Sequence, residues 1–490
     1  MRDDSIELLP YNEKWPELAN QEIVYIRAAV PDLNFEIEHV GSTAVPGLLA
    51  KPIIDLLIGI DSTEDAQQFI KPLEGMGYSF WRENPNEGNL YFVKGLPLMG
   101  GSGRTHHVHV YQKQSDEFKK HIQFRDYLRA HPESLLAYAH LKEELARKFS
   151  TDREAYTDSK THFINSILKL ADQEPSSDHL SAAQFLWELT KPPIFHRYLA
   201  NHIYFTANAF DDLVLRLTPA DHRTKSEVIA ELSFMDYLAK NNFSLAVPVA
   251  SKNGLLVEEM KFRNKKFFVT VFKKIDGKRL SDEESLNPDF LFKWGAYLAE
   301  LHNHSIAFEK IETSLDQRSH WEFDAVKVKA LSFAKSSSGV ASARLEECVD
   351  WLSKLEKGSE NYGLIHGDLH RGNFFVVEGK IISFDYDDSC YHWFMYDVAA
   401  SLSTVLKVAT TKTIRQEIIE CFFKGYESVR PISSQSKGHF EAFYQCRLAL
   451  VFNWVNAMIN EGRFSPSTVE NWKIVEPWYL ENMKRPVSFR

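Results

Sequence analysis

The spacing of apolar and polar positions divides the chain into two patterned regions. In the first, residues 17–30 and 115–169 repeat apolar positions at helical spacing, which predicts one helix and then two or three long ones. Residues 35–40 predict a strand. The run K-P-I-I-D-L-L-I-G-I at 51–60 is β-branched and apolar enough to predict a strand that is buried on both faces.

The second region begins with short β-rich segments that predict a small sheet: residues 203–207, 213–217 and 267–272. Residues 224–241 predict an amphipathic helix between them. From about Asn287 onward the pattern is mainly helical, interrupted by a loop-and-strand segment at 364–388. A small sheet-rich lobe followed by a larger helical lobe is an arrangement found in kinases.

Between the two regions, residues 171–181 are polar and contain Pro and Ser, which is typical of a linker. We therefore predict an amino-terminal domain at 1–170, a linker at 171–181 and a second domain at 182–490. Within the second domain, a small lobe covers about 182–275 and a helical lobe covers about 276–490. The predicted fold class is α+β, with one α/β domain followed by a bilobal domain.

The composition excludes several classes of protein. The chain has 490 residues, 44% of them hydrophobic, and a net charge of −10, without the clustered basic excess of a domain whose partner is nucleic acid. It contains no run of 18 or more apolar residues, so no membrane-spanning helix is expected. Its four cysteines are scattered without a C-x-x-C pair, which is typical of reduced thiols in a cytoplasmic protein.

The clearest chemistry lies in I-H-G-D-L-H-R-G-N-F-F (365–375), followed by I-I-S-F-D-Y-D-D (381–388). Asp368 and Asn373 are five positions apart in a loop, and Asp385 follows at the end of the next predicted strand. Phosphoryl transfer needs a carboxylate to take or orient the acceptor's proton, and oxygen ligands to hold Mg²⁺ against the phosphates. The spacing of Asp368 and Asn373 is the one that a kinase catalytic loop uses for these two tasks.

The H-G-D-L-H-R-G-N segment, together with the D-x-D-D turn and a later Y-D-V-A, resembles the aminoglycoside phosphotransferase and choline kinase superfamily. Within it, the nearest likeness is to the phosphotransferase enzyme family. The resemblance covers roughly residues 180–480 and implies a protein-kinase-like fold with ATP and Mg²⁺ as cofactors.

The resemblance also implies a role for each matching residue. Asp368 would be the catalytic base, His366 would buttress its loop, and Asp397 would stabilise that loop from behind. The implied Mg²⁺ ligands are Asn373 and Asp385. Asp387 and Asp388 could add to metal binding or to the acceptor site.

In the small lobe, the resemblance places Arg216 where the superfamily usually has a phosphate-pairing lysine, with Glu231 as its helix partner. Backbone groups from Val271 to Lys273 would contact the adenine. The chain departs from the general kinase pattern in having an arginine here and no G-x-G-x-x-G motif. Arginine keeps the charge and can grip phosphate with its planar fork, although it is bulkier than lysine. The alternative is an arginine that only lies along the surface of a strand.

The amino-terminal domain has a motif of its own. The stretch I-E-H-V-G-S-T-A-V-P-G-L-L-A-K-P-I-I-D-L-L-I (37–58) connects a Gly41-Ser42 turn to Asp55 on a buried strand. The amides and hydroxyl of such a turn can bind phosphate, and the carboxylate can hold a divalent metal. The stretch resembles the GrpB family of the nucleotidyltransferase superfamily, and F-R-D-Y-L-R-A-H-P (124–132) extends the likeness over residues 5–168. The resemblance implies Gly41 and Ser42 as nucleotide-binding residues.

One departure bears on catalysis by this domain. Leu57 stands where the superfamily has a second carboxylate, and a two-metal centre needs more negative oxygen than Asp55 alone supplies. His107 and His109 share one face of a predicted strand and could join Asp55 in a metal or phosphate site. Packing or surface roles for both histidines are equally open. We predict a nucleotide- or phosphate-binding domain.

Together these features favour a kinase that moves the γ-phosphate of ATP to a hydroxyl of a small molecule. One alternative is a Ser/Thr protein kinase of the stress-response type; another is nucleotidyl transfer by the amino-terminal domain. No A-P-E motif follows Asp385, and the chain enters the Y-D-V-A helix within about a dozen residues, which favours a rigid small-molecule site. The lost second carboxylate argues against nucleotidyl transfer. The residues indicate neither a particular acceptor nor an oligomeric state.

Overall fold

The computed structural model describes residues 6–82, 90–95, 103–262, 264–311, 318–337 and 339–489. The chain divides into two compact units, Met1–Glu174 with Gly462–Asn471, and Pro175–Glu461 with Trp472–Arg490. None of the helices within the described residues combines the length and the apolar character needed to cross a membrane.

The first unit mixes helices with one sheet. Its helices are α1 (Trp15–Ala29), α2 (Thr63–Ala66), α3 (Ile70–Gly75), α4 (Asp116–Ala130), α5 (Pro132–Lys148), α6 (Arg153–Asp158) and α7 (Thr161–Gln173). Its strands are β1 (Glu36–Val40), β2 (Ile54–Ile60), β3 (Tyr78–Phe80), β4 (Leu90–Lys94) and β5 (His106–Gln112).

The strand order in this sheet is β1-β2-β5-β4-β3. Strands β2 and β5 are parallel, whereas the other neighbouring strands are antiparallel. Residues 56–60 of β2 are all buried, as the continuous apolar run predicts. The register of the parallel pair sets Asp55 opposite His107 and Leu57 opposite His109, so the sheet brings the motif of β2 beside the histidines of β5.

The second unit begins with α8 (Ser177–Leu186) and a sheet-rich lobe. Its strands are β6 (Lys191–Tyr198), β7 (His202–Ala207), β8 (Asp212–Pro219), β9 (Glu258–Phe262) and β10 (Lys265–Lys273), in the antiparallel order β6-β7-β8-β10-β9. Helix α9 (Lys225–Lys240) follows β8. It begins at a capping box in which the Thr224 hydroxyl accepts from the Glu227 amide and the Glu227 carboxylate accepts from the Thr224 amide.

The rest of the second unit is mainly helical. Its helices are α10 (Pro288–Ile311), α11 (Ala325–Ser336), α12 (Val340–Leu352), α13 (Phe394–Val408), α14 (Lys412–Glu427), α15 (Ser434–Gly438) and α16 (Phe440–Asn460), and α17 (Pro466–Met483) ends the chain's regular structure. Four short strands form two antiparallel pairs, β11 (Tyr362–Ile365) with β14 (Cys390–Trp393), and β12 (Phe374–Val377) with β13 (Lys380–Ser383). The loops that contain the predicted catalytic and metal-binding residues connect these strands.

Helices α10 and α14 pack closely because both have a glycine at the contact. A Cβ atom on Gly295 would lie 2.0 Å from the Phe422 carbonyl oxygen, and one on Gly425 would lie 1.9 Å from the Phe292 carbonyl oxygen. Any larger side chain would push the two helices apart. This close packing holds α10 against the large core in which Trp294 is fully buried.

The mixed α and β fold class predicted from the sequence is confirmed. The division between the two compact units falls between Glu174 and Pro175, within the segment predicted as a linker at 171–181. Helix α7 continues to Gln173 and α8 begins at Ser177, so only residues 174–176 lie between helices. Polar residues of this segment also end and begin helices, since Ser176 and His179 form a capping box at the start of α8.

Candidate functional site

The loop that follows β11 is anchored by a carboxylate at the start of α13. Asp397 is fully buried, and its two oxygens accept from the backbone amides of His366 and Gly367, each at 2.9 Å. The same carboxylate accepts from Nε2 of His302 at 3.2 Å. Gly367 has φ +81°, and a Cβ there would lie 2.3 Å from the carbonyl oxygen of Asp388, so only glycine fits.

His366 connects this loop to the chain after β13. Its Nε2 lies 3.1 Å from the Phe384 carbonyl oxygen, to which it donates, and its Nδ1 accepts from the Asp368 amide at 3.3 Å. The two contacts require one neutral tautomer, with the proton on Nε2. The ring is fully buried and lies 4.3 Å from the ring of Tyr386. His366 therefore positions the backbone and does not face the open side of the site.

Asp368 and Asn373 contact each other directly. The Asn373 side-chain amide donates to Oδ2 of Asp368 at 2.8 Å and to its carbonyl oxygen at 2.9 Å. In this orientation the side-chain nitrogen of Asn373 is used for hydrogen bonds to Asp368, and its side-chain oxygen is left for another partner. The other carboxylate oxygen of Asp368 accepts from Arg447. Burial opposes ionisation of Asp368, but the neighbouring His370 and the guanidinium of Arg447 outweigh it and lower the pKa of the carboxyl.

Among the carboxylates predicted to bind metal, Asp385 has the weakest contact with a positively charged side chain. Its backbone adopts a left-handed conformation, with φ +67°, directly after β13 and Phe384. Its Oδ2 accepts from Arg197 at a long 3.4 Å. Burial raises the pKa of Asp385, and the negative charges of Asp387 and Asp368 add to that effect. A concentration of negative oxygen of this kind fits a divalent cation such as Mg²⁺, which prefers carboxylate and amide oxygens.

Asp387 is placed differently from its predicted role as a metal ligand. Its Oδ2 accepts from His222 at 2.7 Å and from Asn201 at 3.2 Å, and its Oδ1 accepts from Arg223 at 3.3 Å. Burial opposes ionisation, yet Arg223 and His222 hold the pKa of Asp387 well below its usual value. Because both oxygens already accept from protein donors, this carboxylate holds the loop against the small lobe rather than presenting free ligands.

Asp388, the other predicted addition to the metal site, also contacts Arg223, at 3.1 Å. Burial and the charge of Asp368 raise the pKa of Asp388 to about 6. Of the four candidate ligands, Asn373 and Asp385 are therefore the pair whose oxygens are the least committed.

In the small lobe, Arg216 of β8 and Glu231 of α9 form a buried bidentate ion pair. Two guanidinium nitrogens donate to the two carboxylate oxygens at 2.8 and 2.9 Å, and Nε donates to the Thr270 hydroxyl at 3.2 Å. Arg216 is 3% exposed, so the alternative of an arginine lying along a strand surface is wrong. The guanidinium is held in one orientation by this geometry.

The predicted adenine contacts need correction. The carbonyl of Val271 accepts from the Val249 amide at 2.8 Å, and the Lys273 amide donates to the Val247 carbonyl at 2.9 Å. A passing segment therefore pairs with the end of β10 where the sequence suggested open backbone groups. Ile275, two residues further, lies outside the strands, and its amide has no backbone partner within the described residues.

The sequence analysis missed Arg447, which belongs to α16. Its guanidinium donates to Asp368 and, at 3.4 Å, to the Gly367 carbonyl, while its Nε has no hydrogen-bond partner among the described residues. The residue is 8% exposed. A signal existed in the sequence, because an arginine inside the apolar run Y-Q-C-R-L-A-L-V-F is rarely buried without a partner.

In the first unit, the structure brings together only part of the predicted set. Asp55 accepts from Nδ1 of His107 at 2.9 Å, whereas His109 packs against Tyr91, with ring centres 4.7 Å apart. Burial and the charge of His121 lower the pKa of His109 to about 3, so it stays neutral. No group of three or more His, Cys, Asp or Glu side chains in the described part of the chain could hold a metal. The predicted Asp55–His107–His109 metal site is thus not assembled.

The Gly41-Ser42 turn lies beside Asp55. Gly41 has φ +72°, and a Cβ there would lie 2.3 Å from Oδ2 of Asp55. The Ser42 hydroxyl accepts from Nζ of Lys142 at 2.8 Å.

Each of the two units has its own fold and its own candidate site, so an α/β unit is followed by a kinase-like phosphotransferase unit. Comparison with known proteins identifies the family of each unit. The model of the GrpB protein family matches residues 5–170, and that of the phosphotransferase enzyme family matches residues 196–432. The chain belongs to the GrpB family through its first unit and carries a phosphotransferase enzyme domain in its second, which makes it an enzyme of the phosphotransferase class.

Three proteins are similar to one or the other part of this chain. A UPF0157 protein of Pseudomonas aeruginosa is 51% identical over 167 residues, which are 34% of this chain and 67% of that protein. The amicoumacin kinase of Bacillus subtilis is 27% identical over 277 residues, which are 54% of this chain and 80% of that kinase. A solved structure of the amicoumacin kinase hAmiN in complex with AMP-PNP, Ca²⁺ and Ami covers 66% of this chain and 98% of its own, with a TM-score of 0.55 and 22% identity.

Proposed function

We propose that the second domain, residues 182–490, transfers the γ-phosphate of ATP to a hydroxyl group of a small molecule. The observation that carries the proposal is the arrangement of Asp368 and Asn373. The asparagine amide donates to the aspartate, so that a base and a metal-binding oxygen are held side by side. The amicoumacin kinase relative supports a small molecule as the acceptor class.

Asn373 and Asp385 are the residues that would hold Mg²⁺. The fit rests on their chemistry. Among the residues that the structure describes, the side-chain oxygen of Asn373 has no donor, and the carboxylate of Asp385 has only a long contact with Arg197. When bound, the metal would neutralise phosphate charge. Asp387 is excluded from this set because His222, Asn201 and Arg223 occupy its oxygens.

Asp368 would accept or orient the proton of the acceptor hydroxyl. Its lowered pKa keeps the carboxyl ionised, and His370 and Arg447 are the neighbours that lower this pKa against the effect of burial. Asp397 holds the backbone amides of His366 and Gly367, which precede Asp368, and His366 accepts from the amide of Asp368 itself. The protein thereby supplies an oriented acceptor of a hydrogen bond at the place where the hydroxyl must react.

Arg216 would orient the nucleotide phosphates. Its pairing with Glu231 supports that role because it fixes the orientation of the guanidinium group before the nucleotide binds. The backbone amide of Ile275 replaces Val271 and Lys273 as the proposed adenine contact. The short path from Asp385 through β14 to α13 supports a small acceptor, since it contains no long loop for a protein substrate.

The test uses the full chain with ATP labelled at either the γ or the α position, and a panel of hydroxylated metabolites and antibiotics. We expect γ label on a small molecule. Asp368→Asn should lower turnover about 10²- to 10⁴-fold, the usual contribution of a positioned base. Asp350→Asn, the same change on an exposed residue of α12, should not alter turnover. Label on the protein itself would favour a protein kinase, and transfer from the α position would favour nucleotidyl transfer.

A further inference from the structure

Three hydroxyl groups form a chain of hydrogen bonds beside the loop that contains Asp385. The Tyr297 hydroxyl, on α10, contacts the Ser244 carbonyl oxygen at 2.5 Å and the Ser383 hydroxyl at 2.7 Å. The Ser383 hydroxyl, at the end of β13, contacts the Tyr386 hydroxyl at 2.7 Å. Ser383 and Tyr386 are fully buried and Tyr297 is 9% exposed, so water competes little for these contacts.

The direction of this chain follows from the number of protons available. Each hydroxyl has one proton to donate, and the Ser244 carbonyl can only accept. Tyr297 therefore donates to Ser244, which leaves Ser383 to donate to Tyr297. The Tyr386 hydroxyl then donates to Ser383. Hydrogen bonds that all run in one direction polarise and strengthen one another inside a protein, so the chain is a rigid unit.

The chain holds the residues on both sides of Asp385. Two of its hydroxyls belong to Ser383, two positions before Asp385, and to Tyr386, one position after it. Phe384 lies between Ser383 and Asp385, and its amide and carbonyl groups both form hydrogen bonds with the loop after β11. Asp385 itself has φ +67°, a left-handed conformation that a residue other than glycine keeps where its surroundings hold it.

We propose that Tyr297, Ser383 and Tyr386 are positioning residues, which fix the orientation of the Asp385 carboxylate for metal binding. This inference rests on the metal-binding role that the proposed function gives to Asp385. Mg²⁺ accepts little deviation from octahedral geometry, so a carboxylate that is free to turn binds it more weakly than one held in place. The three hydroxyls act through the backbone around Asp385 and are not ligands themselves.

The test measures the binding of Mn²⁺, a paramagnetic substitute for Mg²⁺, to the full chain in the presence of AMP-PNP. Electron paramagnetic resonance reports the concentration of free Mn²⁺. We expect Tyr386→Phe and Ser383→Ala to raise the dissociation constant about tenfold, the lower end of the effect of removing a group that orients a metal ligand. Asp385→Asn should raise it further, which assigns the bound Mn²⁺ to the proposed site.

Two control variants make the same changes outside the chain of hydroxyls. Tyr362→Phe removes a buried hydroxyl that donates to the Tyr391 carbonyl at 3.0 Å, and Ser389→Ala removes the hydroxyl of a fully buried serine in the same unit. Both should bind Mn²⁺ within twofold of the parent chain. Tyr362→Phe should nevertheless lower the temperature of unfolding through its lost hydrogen bond, which separates a loss of stability from a loss of metal affinity.

The outcomes separate this inference from the proposed function. Mn²⁺ affinity within twofold of the parent in Tyr386→Phe and Ser383→Ala, or in Ser383→Ala alone if Tyr386→Phe does not fold, would overturn the positioning role. With a loss in Asp385→Asn, that result would leave the proposed function standing. Equal losses in the controls would also overturn the positioning role. Affinity equal to the parent in Asp385→Asn would contradict the metal assignment itself, and the positioning role with it.

Discussion

The guanidinium of Arg447, on α16, donates to the carboxylate of Asp368, in the loop after β11. The two residues are 79 positions apart in the chain, and both belong to the second unit. Arg447 restricts the orientation of the proposed base and leaves the other carboxylate oxygen to Asn373. The base is therefore positioned from two sides, by an arginine that the motif does not contain and by an asparagine that it does.

We expect Arg447→Met to lower kcat by about 10²-fold, because a misplaced catalytic group costs about that much. The KM for ATP should change little, since Arg447 contacts the base and not the residues proposed to bind phosphate. Steady-state kinetics with saturating acceptor measure both constants. Arg415→Met, which removes an arginine paired with Glu441 elsewhere in the second unit, is the matched control. A rise in the KM for ATP with an unchanged kcat would contradict the positioning role.

Asp385 and Asp387 should respond differently to the same substitution. We expect Asp385→Asn to raise the Mg²⁺ concentration for half-maximal activity at least about tenfold, because a ligand charge is lost. Asp387→Asn should mainly destabilise the fold, by about 3–5 kcal/mol, because it leaves Arg223 buried with one partner fewer. Metal titrations of activity and chemical unfolding separate the two effects. If both substitutions raised the Mg²⁺ concentration for half-maximal activity equally, Asp387 would be a metal ligand after all.

Arg216→Lys should weaken nucleotide binding about tenfold, since lysine keeps the charge but cannot make the bidentate contact with Glu231 and the contact with Thr270 together. The expected change is a higher KM for ATP with a similar kcat, measured at saturating Mg²⁺. Arg344→Lys, on α12, makes the same replacement at a position that pairs with Glu347 and should leave the KM for ATP unchanged.

Asp324 should make the second unit sensitive to acid. Its carboxylate accepts from Arg223 at 2.9 Å and from Lys327 at 3.4 Å. Burial opposes ionisation, but Lys327 and Arg223 outweigh it and lower the pKa of the carboxyl. The stabilisation is thus present above the unfolded-state pKa of about 4 and is lost as pH falls below it.

We expect Asp324→Asn to reduce the free energy of unfolding by about 3–5 kcal/mol at pH 7, because two buried cations lose a partner. The difference between variant and parent should shrink as pH falls below about 4. Urea unfolding at a series of pH values measures it. A difference that stays constant down to pH 2 would show that Asp324 acts only through its hydrogen bonds to the amides of Val326 and Lys327, which cap α11.

The sequence by itself determined the features that depend on neighbours along the chain. The spacing of Asp368 and Asn373, the buried run of β2 and the capping residues of α9 are local patterns with one dominant physical outcome. The pairing of Arg216 with Glu231 was implied by the family resemblance and not by any local pattern, and the structure shows it as a bidentate contact. The sequence predicted a linker at 171–181, where the two units divide, but not the helix ends within that segment, since capping residues and linkers have the same composition.

Only the tertiary structure decided how the ionised groups are paired. Asp385 and Asp387 are two residues apart and look alike in the sequence. Arg223 and His222 donate hydrogen bonds to Asp387, however, and leave Asp385 available. Arg447 reaches Asp368 only because α16 packs behind the catalytic loop, and Lys142 meets Ser42 across 100 residues. Electrostatic interactions act through space and fall off over a few ångströms, so their partners are set by packing and not by order along the chain.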